Sequence, residues 1–154
     1  MPLRTGTPIP ELIGATEWVN GRANTAELIG SPVLIHFWAM SCHICHDNMP
    51  ILQEWRERYA AQGLKVVAIH APRQEDDTNI EAVHQAITEM GIEEPCAIDN
   101  MHSLVETFQS QYWPAYFLFD KEGALRSRAA GDAGIKLLEG TLTRLMEAEM
   151  ATIA

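Results

Sequence analysis

Pro32-Val33-Leu34-Ile35-His36-Phe37-Trp38-Ala39-Met40-Ser41-Cys42-His43-Ile44-Cys45 decides how the rest of the chain is read. Gly30-Ser31-Pro32 punctuates before it, and residues 33 to 38 run apolar nearly throughout, as a strand buried on both faces should. Beyond the second cysteine the apolar residues 44, 51, 52, 55 and 59 form one helical stripe that stops at Gln62-Gly63, with a kink expected at Pro50. Two thiols therefore stand where a strand meets a helix. A dithiol with two intervening residues can close into a small disulfide ring, and the unpaired amides of a helix N-terminus favour a thiolate.

The same letters allow other chemistry. Cys42-His43-Ile44-Cys45-His46 matches the attachment pattern of c-type haem, with His46 as axial ligand, but a haem domain of this size would be chiefly helical and strand-like runs flank the motif. A CxxC is also half of a zinc site, which usually takes a second ligand pair. The main non-enzymatic alternative is a copper or zinc carrier using Cys42, Cys45 and His46, because thiolate and imidazole donors gather there. His43 is set apart from that group, since adjacent helical residues diverge by about 100°.

Composition narrows the classes. At 154 residues and 47% apolar content the chain is expected to be a single domain over 1–154, with its core at about 8–146 and a frayed tail at 151–154. Its formal net charge is −10, with 11 basic against 21 acidic residues, which argues against a nucleic-acid partner or an anionic membrane surface. The longest apolar runs fall far short of the roughly 18 residues a membrane span needs. Three cysteines are too few for a disulfide scaffold. Residues 1 to 10 lack the apolar stretch of a signal peptide, so the expected location is cytoplasmic if Met1 is the native start, and extracytoplasmic if an export signal or anchor has been removed.

Strands and helices alternate along the chain, the pattern of an α/β fold. Glu17 to Ala23 reads as a hairpin turning at Asn20-Gly21, and Thr25 to Ile29 as a short helical turn. Leu64 to Ala71 is a second buried strand, Ile80 to Met90 a helix, Cys96 to Ile98 a short strand, and Leu104, Val105 and Phe108 one helical face. Ala115 to Phe119 and Leu125 to Ala129 make a hairpin across Asp120-Lys121-Glu122-Gly123, and Ile135 to Met146 lines a closing helix. Cys96 reads as a buried, inert thiol and Asp99 as the cap of the helix that follows it. His70 reads as a solvated strand end, and Glu75-Asp76-Asp77 as loop surface.

Phe37-Trp38-Ala39-x-x-Cys42-x-x-Cys45, Pro50 and Tyr112-Trp113-Pro114 together resemble the thioredoxin-fold proteins. The early hairpin, the Val66-Val67-Ala68-Ile69 strand, the helix after it and the Phe119 to Gly123 turn are similar to the TlpA/ResA-like thiol-disulfide oxidoreductases of the redoxin, or AhpC-TSA-like, superfamily. The resemblance implies a three-layer α/β/α fold with a central mixed β-sheet flanked by helices and an extra N-terminal β-hairpin. It implies Cys42 as the attacking and more exposed thiol, Cys45 as the resolving thiol, and a cis Pro114 beside them.

His36 occupies the position where thioredoxins often bury a proton-relaying acid, so it is either a base or a core histidine with one backbone bond. Asn48 stands where the closer relatives tend to carry a glutamate. Trp113 is bulkier than the residue usual before this proline, and is expected to shield the disulfide or narrow the substrate range. Ser41 replaces a common tryptophan, which predicts a more open, polar mouth. His43, between the cysteines, is placed to stabilise a thiolate. With Trp38, these three make the expected substrate-binding set. The activity implied is disulfide exchange with protein thiols and disulfides, more as reductase than oxidant, by a monomer without organic cofactor and with a part in redox homeostasis.

Overall fold

The computed structural model describes residues 3–153. Along these residues run β1 (Glu17–Val19), α1 (Thr25–Leu28), β2 (Val33–Trp38), α2 (His43–Tyr59), β3 (Lys65–His70), α3 (Ile80–Glu89), β4 (Cys96–Ile98), α4 (Ser103–Phe108), β5 (Ala115–Phe119), β6 (Leu125–Ala130) and α5 (Gly134–Ile153). The strands form one sheet in the order β1-β4-β3-β2-β5-β6. It is mixed: β2 runs parallel to β3 and β3 to β4, while β5 is antiparallel to both β2 and β6. All six residues of β2 are buried, as its unbroken apolar run requires.

Alternation along the strands sends side chains to two cores. Leu34 and Trp38 share one with Met49, Leu52, Trp55 and Tyr59 of α2 and Leu138 and Leu142 of α5. Val33, Ile35 and Phe37 pack on the other with Leu28, Leu104 and Phe108. Helices therefore cover both faces. Pro50 lies within α2 without ending it. The backbone of α5 stays helical to Ile153, three residues into the stretch expected to fray, and residue 154 lies outside the described residues.

The expected N-terminal hairpin is not formed. Asn20 and Gly21 do take the positive φ angles of 64° and 96° that the turn reading needs, but no strand follows them. Instead β1 pairs antiparallel with β4, Glu17 opposite Ile98 and Val19 opposite Cys96. The Asn20 side chain secures this by donating to the carbonyls of Ile92 at 2.9 Å and Glu94 at 3.1 Å. An open edge of the main sheet offers more backbone partners than a two-strand ribbon alone, so β1 joins it.

Candidate active site

The site begins where β2 hands the chain to α2. Cys42 N–H donates to Ala39 O at 3.0 Å, closing a turn that sets Cys42 in extended backbone as the N-cap of α2. Its Sγ accepts from Cys45 N–H at 3.1 Å and is joined to Cys45 Sγ, with the two Cα atoms 5.2 Å apart. Neither sulfur residue is the more exposed: Cys42 is 1% and Cys45 2% accessible. The half-buried Met40, Ile44 and Trp113 pack against the apolar cluster that includes both cysteines, and Ser41 is itself half-buried.

Side chains from three elements hold the turn before Cys42. Met40 N–H donates to His70 Nε2 at 3.1 Å, and His46 Nε2–H donates to Met40 O at 2.7 Å. The Ser41 hydroxyl donates to Asp77 Oδ2 at 2.6 Å, Arg73 N–H donates to the same oxygen at 2.9 Å, and Arg73 Nη1 donates to Ser41 O at 3.2 Å. Two expectations are corrected here. His70 is fully buried at the end of β3 rather than solvated, and Asp77 is buried rather than loop surface, because each supplies an acceptor that the turn uses. Burial pushes the His70 imidazole down to about 4 against the pull of Asp77, so the ring is neutral and its Nε2 lone pair is free to accept.

Trp38 is inaccessible, its ring edge-on to His70 at 4.6 Å between centroids, so it packs the core and cannot meet a substrate. The Trp113–Pro114 peptide is cis, and Trp113 Nε1 donates to Ala71 O at 2.8 Å. His43 is exposed and pairs with Asp47 at 3.3 Å, one helical turn on. The Asn48 amide donates to the Tyr116 hydroxyl at 2.9 Å; burial pushes that phenol up to about 12, and the Asn48 bond opposes the rise. Cys96 is a free, buried thiol that burial pushes up to about 12. Asp99 accepts from Leu104 and Val105 N–H at 3.0 Å and so caps α4, while its burial raises its pKa.

His36 is buried, and its partner is a side chain rather than backbone. Its Nε2–H donates to Glu94 Oε2 at 2.7 Å, while Arg56 Nη1 donates to Glu94 Oε1 at 2.6 Å. Burial opposes the charge on Glu94, but the hydrogen bond from His36, with help from a backbone donor and Arg56, outweighs it and holds the carboxyl down to about 2. Glu94, Asp77 and Arg73 are the residues that sequence reasoning missed. Each sits in an irregular segment with no periodicity, and its partner lies far along the chain.

His46 donates Nε2–H to Met40 O, and among the described residues no cluster of three or more His, Cys, Asp or Glu side chains is arranged to hold a metal ion. No helix among those residues is long and apolar enough to cross a membrane.

Known proteins give the same picture. The AhpC/TSA family model matches residues 5–128. Over 140 residues the chain is 44% identical to the thiol-disulfide oxidoreductase YkuV of Bacillus subtilis (strain 168), covering 90% of this chain and 94% of that protein. It is 27% identical over 143 residues to the thiol-disulfide oxidoreductase ResA of Bacillus anthracis, covering 93% of this chain and 79% of that one. A solved structure of a thioredoxin-like protein in its oxidized form superposes with a TM-score of 0.87 at 41% identity, covering 95% of this chain and 99% of that one. With a Cys42–Cys45 pair at the head of α2 on this sheet, the chain belongs to the AhpC/TSA family as a thiol-disulfide oxidoreductase of thioredoxin-like fold.

Proposed function

We propose that the chain reduces disulfides in other proteins, with Cys42 attacking and Cys45 resolving. The observation that carries this reading is Cys42 as the N-cap of α2, its Sγ receiving the Cys45 N–H. In the reduced form the same amides favour a Cys42 thiolate. That thiolate attacks one sulfur of the substrate disulfide, forming a mixed disulfide and releasing the other sulfur as a thiolate that takes up a proton. Cys45 loses its proton and attacks Cys42 Sγ; the Cys42–Cys45 bond forms, and the second substrate thiol leaves. Both electrons come from the sulfur pair, so the exchange needs no organic cofactor, and a protein dithiol returns the pair to its reduced state. We assign the Cys45 proton to His36, which lies on the α2 side of β2 beside an ionised Glu94.

One feature supports reduction over oxidation: against the pull of the amides, both cysteines lie in an apolar cluster, where desolvation penalises a thiolate more than a disulfide, and a less stable reduced form gives up electrons more readily. Exposed His43 and half-buried Trp113 are the side chains we assign to substrate contact. A monomer in the cytoplasm, where thiols are kept reduced, completes the reading. Equilibration of the purified protein with glutathione buffers tests the direction: the expected reduction potential lies below that of the glutathione pool, and a value well above it overturns the reductase reading. Cys42→Ser is expected to abolish reduction of insulin and Cys45→Ser to trap a mixed disulfide. Unchanged activity in Cys42→Ser would remove Cys42 as the nucleophile.

A further inference from the structure

We propose that His70 and His46 are positioning residues for Cys42, together clamping the backbone of Met40 and so fixing the turn that seats the attacking sulfur on the helix end. This rests on the reading that Cys42 attacks.

The turn runs from Ala39 to Cys42, closed by Cys42 N–H on Ala39 O, and Met40 and Ser41 are its two central residues. Polar backbone groups at such positions usually face water. Here the Met40 N–H is taken by His70 Nε2 from the end of β3, and the Met40 carbonyl by His46 Nε2–H from the first turn of α2. One imidazole accepts and the other donates, so a single residue is held at both its backbone groups by two side chains 24 positions apart in sequence (70 − 46). Neither ring is given a role in moving protons or electrons.

A reason for histidine at position 70 follows. An apolar residue would fill this fully buried site at no cost in desolvation, whereas the imidazole must be kept neutral and, with Nε2 accepting, leaves its Nδ1–H without a partner among the described residues. What it supplies in return is an acceptor within reach of Met40 N–H. The benefit is collected at Cys42: its thiolate gains from the Cys45 N–H and the first-turn amides only while the turn keeps Sγ at the N-cap. A turn that wanders takes the sulfur out of that field, raises its pKa and slows its attack.

The test is an ultraviolet titration of the thiolate in a Cys45→Ser background, with iodoacetamide labelling rates and a thermal melt on each variant. His46→Ala and His70→Leu are each expected to raise the Cys42 midpoint by about one pH unit, about tenfold less thiolate at a given pH below it. His46→Gln, which keeps a donor, and His70→Gln, which keeps an acceptor, are expected to restore most of that shift. His46 is exposed, so His46→Ala reads the clamp even if His70→Leu folds poorly. An unchanged midpoint in folded His46→Ala overturns the clamp. So does an equal shift in His46→Gln, which would trace the effect to the imidazole itself. Labelling of Cys45 before Cys42 in the reduced wild type would instead remove the reading on which the clamp rests.

Discussion

Glu94 holds His36 at 2.7 Å inside the core, across a gap of 58 positions in the sequence. Its other oxygen receives Arg56 at 2.6 Å, so one buried carboxylate joins β2, α2 and the loop before β4. Losing Glu94 leaves the buried His36 Nε2–H without its acceptor, although Arg56 keeps Glu93 at 3.0 Å, and stranding a buried group in this way costs more than the set gains over an apolar replacement.

Glu94→Leu is accordingly expected to destabilise the fold by about 3 kcal/mol or more, and Glu94→Gln, which can still accept hydrogen bonds, by less. Urea unfolding monitored by tryptophan fluorescence measures both. Two variants with wild-type midpoints would show that the set contributes nothing.

Acid should weaken the protein in two overlapping stages. The folded pKa of His70, about 4, lies below the ordinary 6.5, so the unfolded chain binds this proton more tightly. Stability is therefore intact above pH 6.5, declines towards pH 4 and then stops falling on this account, by an amount on the order of 3 kcal/mol. Glu94 is also depressed, from 4.5 to about 2, and its contribution is full above pH 4.5 and lost as the pH falls towards 2. Denaturant titrations at stepped pH check the shape, with His70→Gln expected to flatten the first stage only.

Trp113 packs against the cluster that contains the disulfide and is tied to Ala71 O. Trp113→Ala is expected to speed reduction of Cys42–Cys45 by dithiothreitol severalfold while lowering stability by about 3 kcal/mol. Stopped-flow fluorescence and a thermal melt separate the two effects. An unchanged rate would mean that access to the sulfurs is governed elsewhere.

Cys96 is free, buried and pushed up to about 12, so iodoacetamide at neutral pH should leave it untouched in the folded, reduced protein while labelling the redox pair. Peptide mass mapping with and without denaturant reads this directly. Labelling of Cys96 in the native state would show that this part of the core opens readily.

The strand-to-helix junction at Cys42 was legible because it rests on local signals: an apolar run, a change of period, and a dithiol at the boundary. β2 and the start of α2 lie within one residue of where the pattern puts them, while α2 ends at Tyr59, three residues short of Gln62. The β5–β6 hairpin was legible for the same reason. What escaped was settled at long range. Asn20-Gly21 states the turn dihedrals but not the partner, and the open edge of β4 took β1 from its expected hairpin. His36 shows as a polar residue in an apolar strand, yet nothing nearby in sequence names Glu94 as its acceptor. His70 and Asp77 look like surface residues on composition, and only packing against the Ala39–Cys42 turn makes their burial worthwhile.

The sheet order also has a bearing on synthesis. The central strand, β2, has β3 beside it soon after both have left the ribosome, but its other neighbour is β5, with Val33 opposite Phe119. Until that late segment emerges, one flank of β2 has no backbone partner, and a nascent chain already carries the Cys42 and Cys45 thiols without the complete sheet behind them. The redox pair is thus made early and its scaffold is finished late.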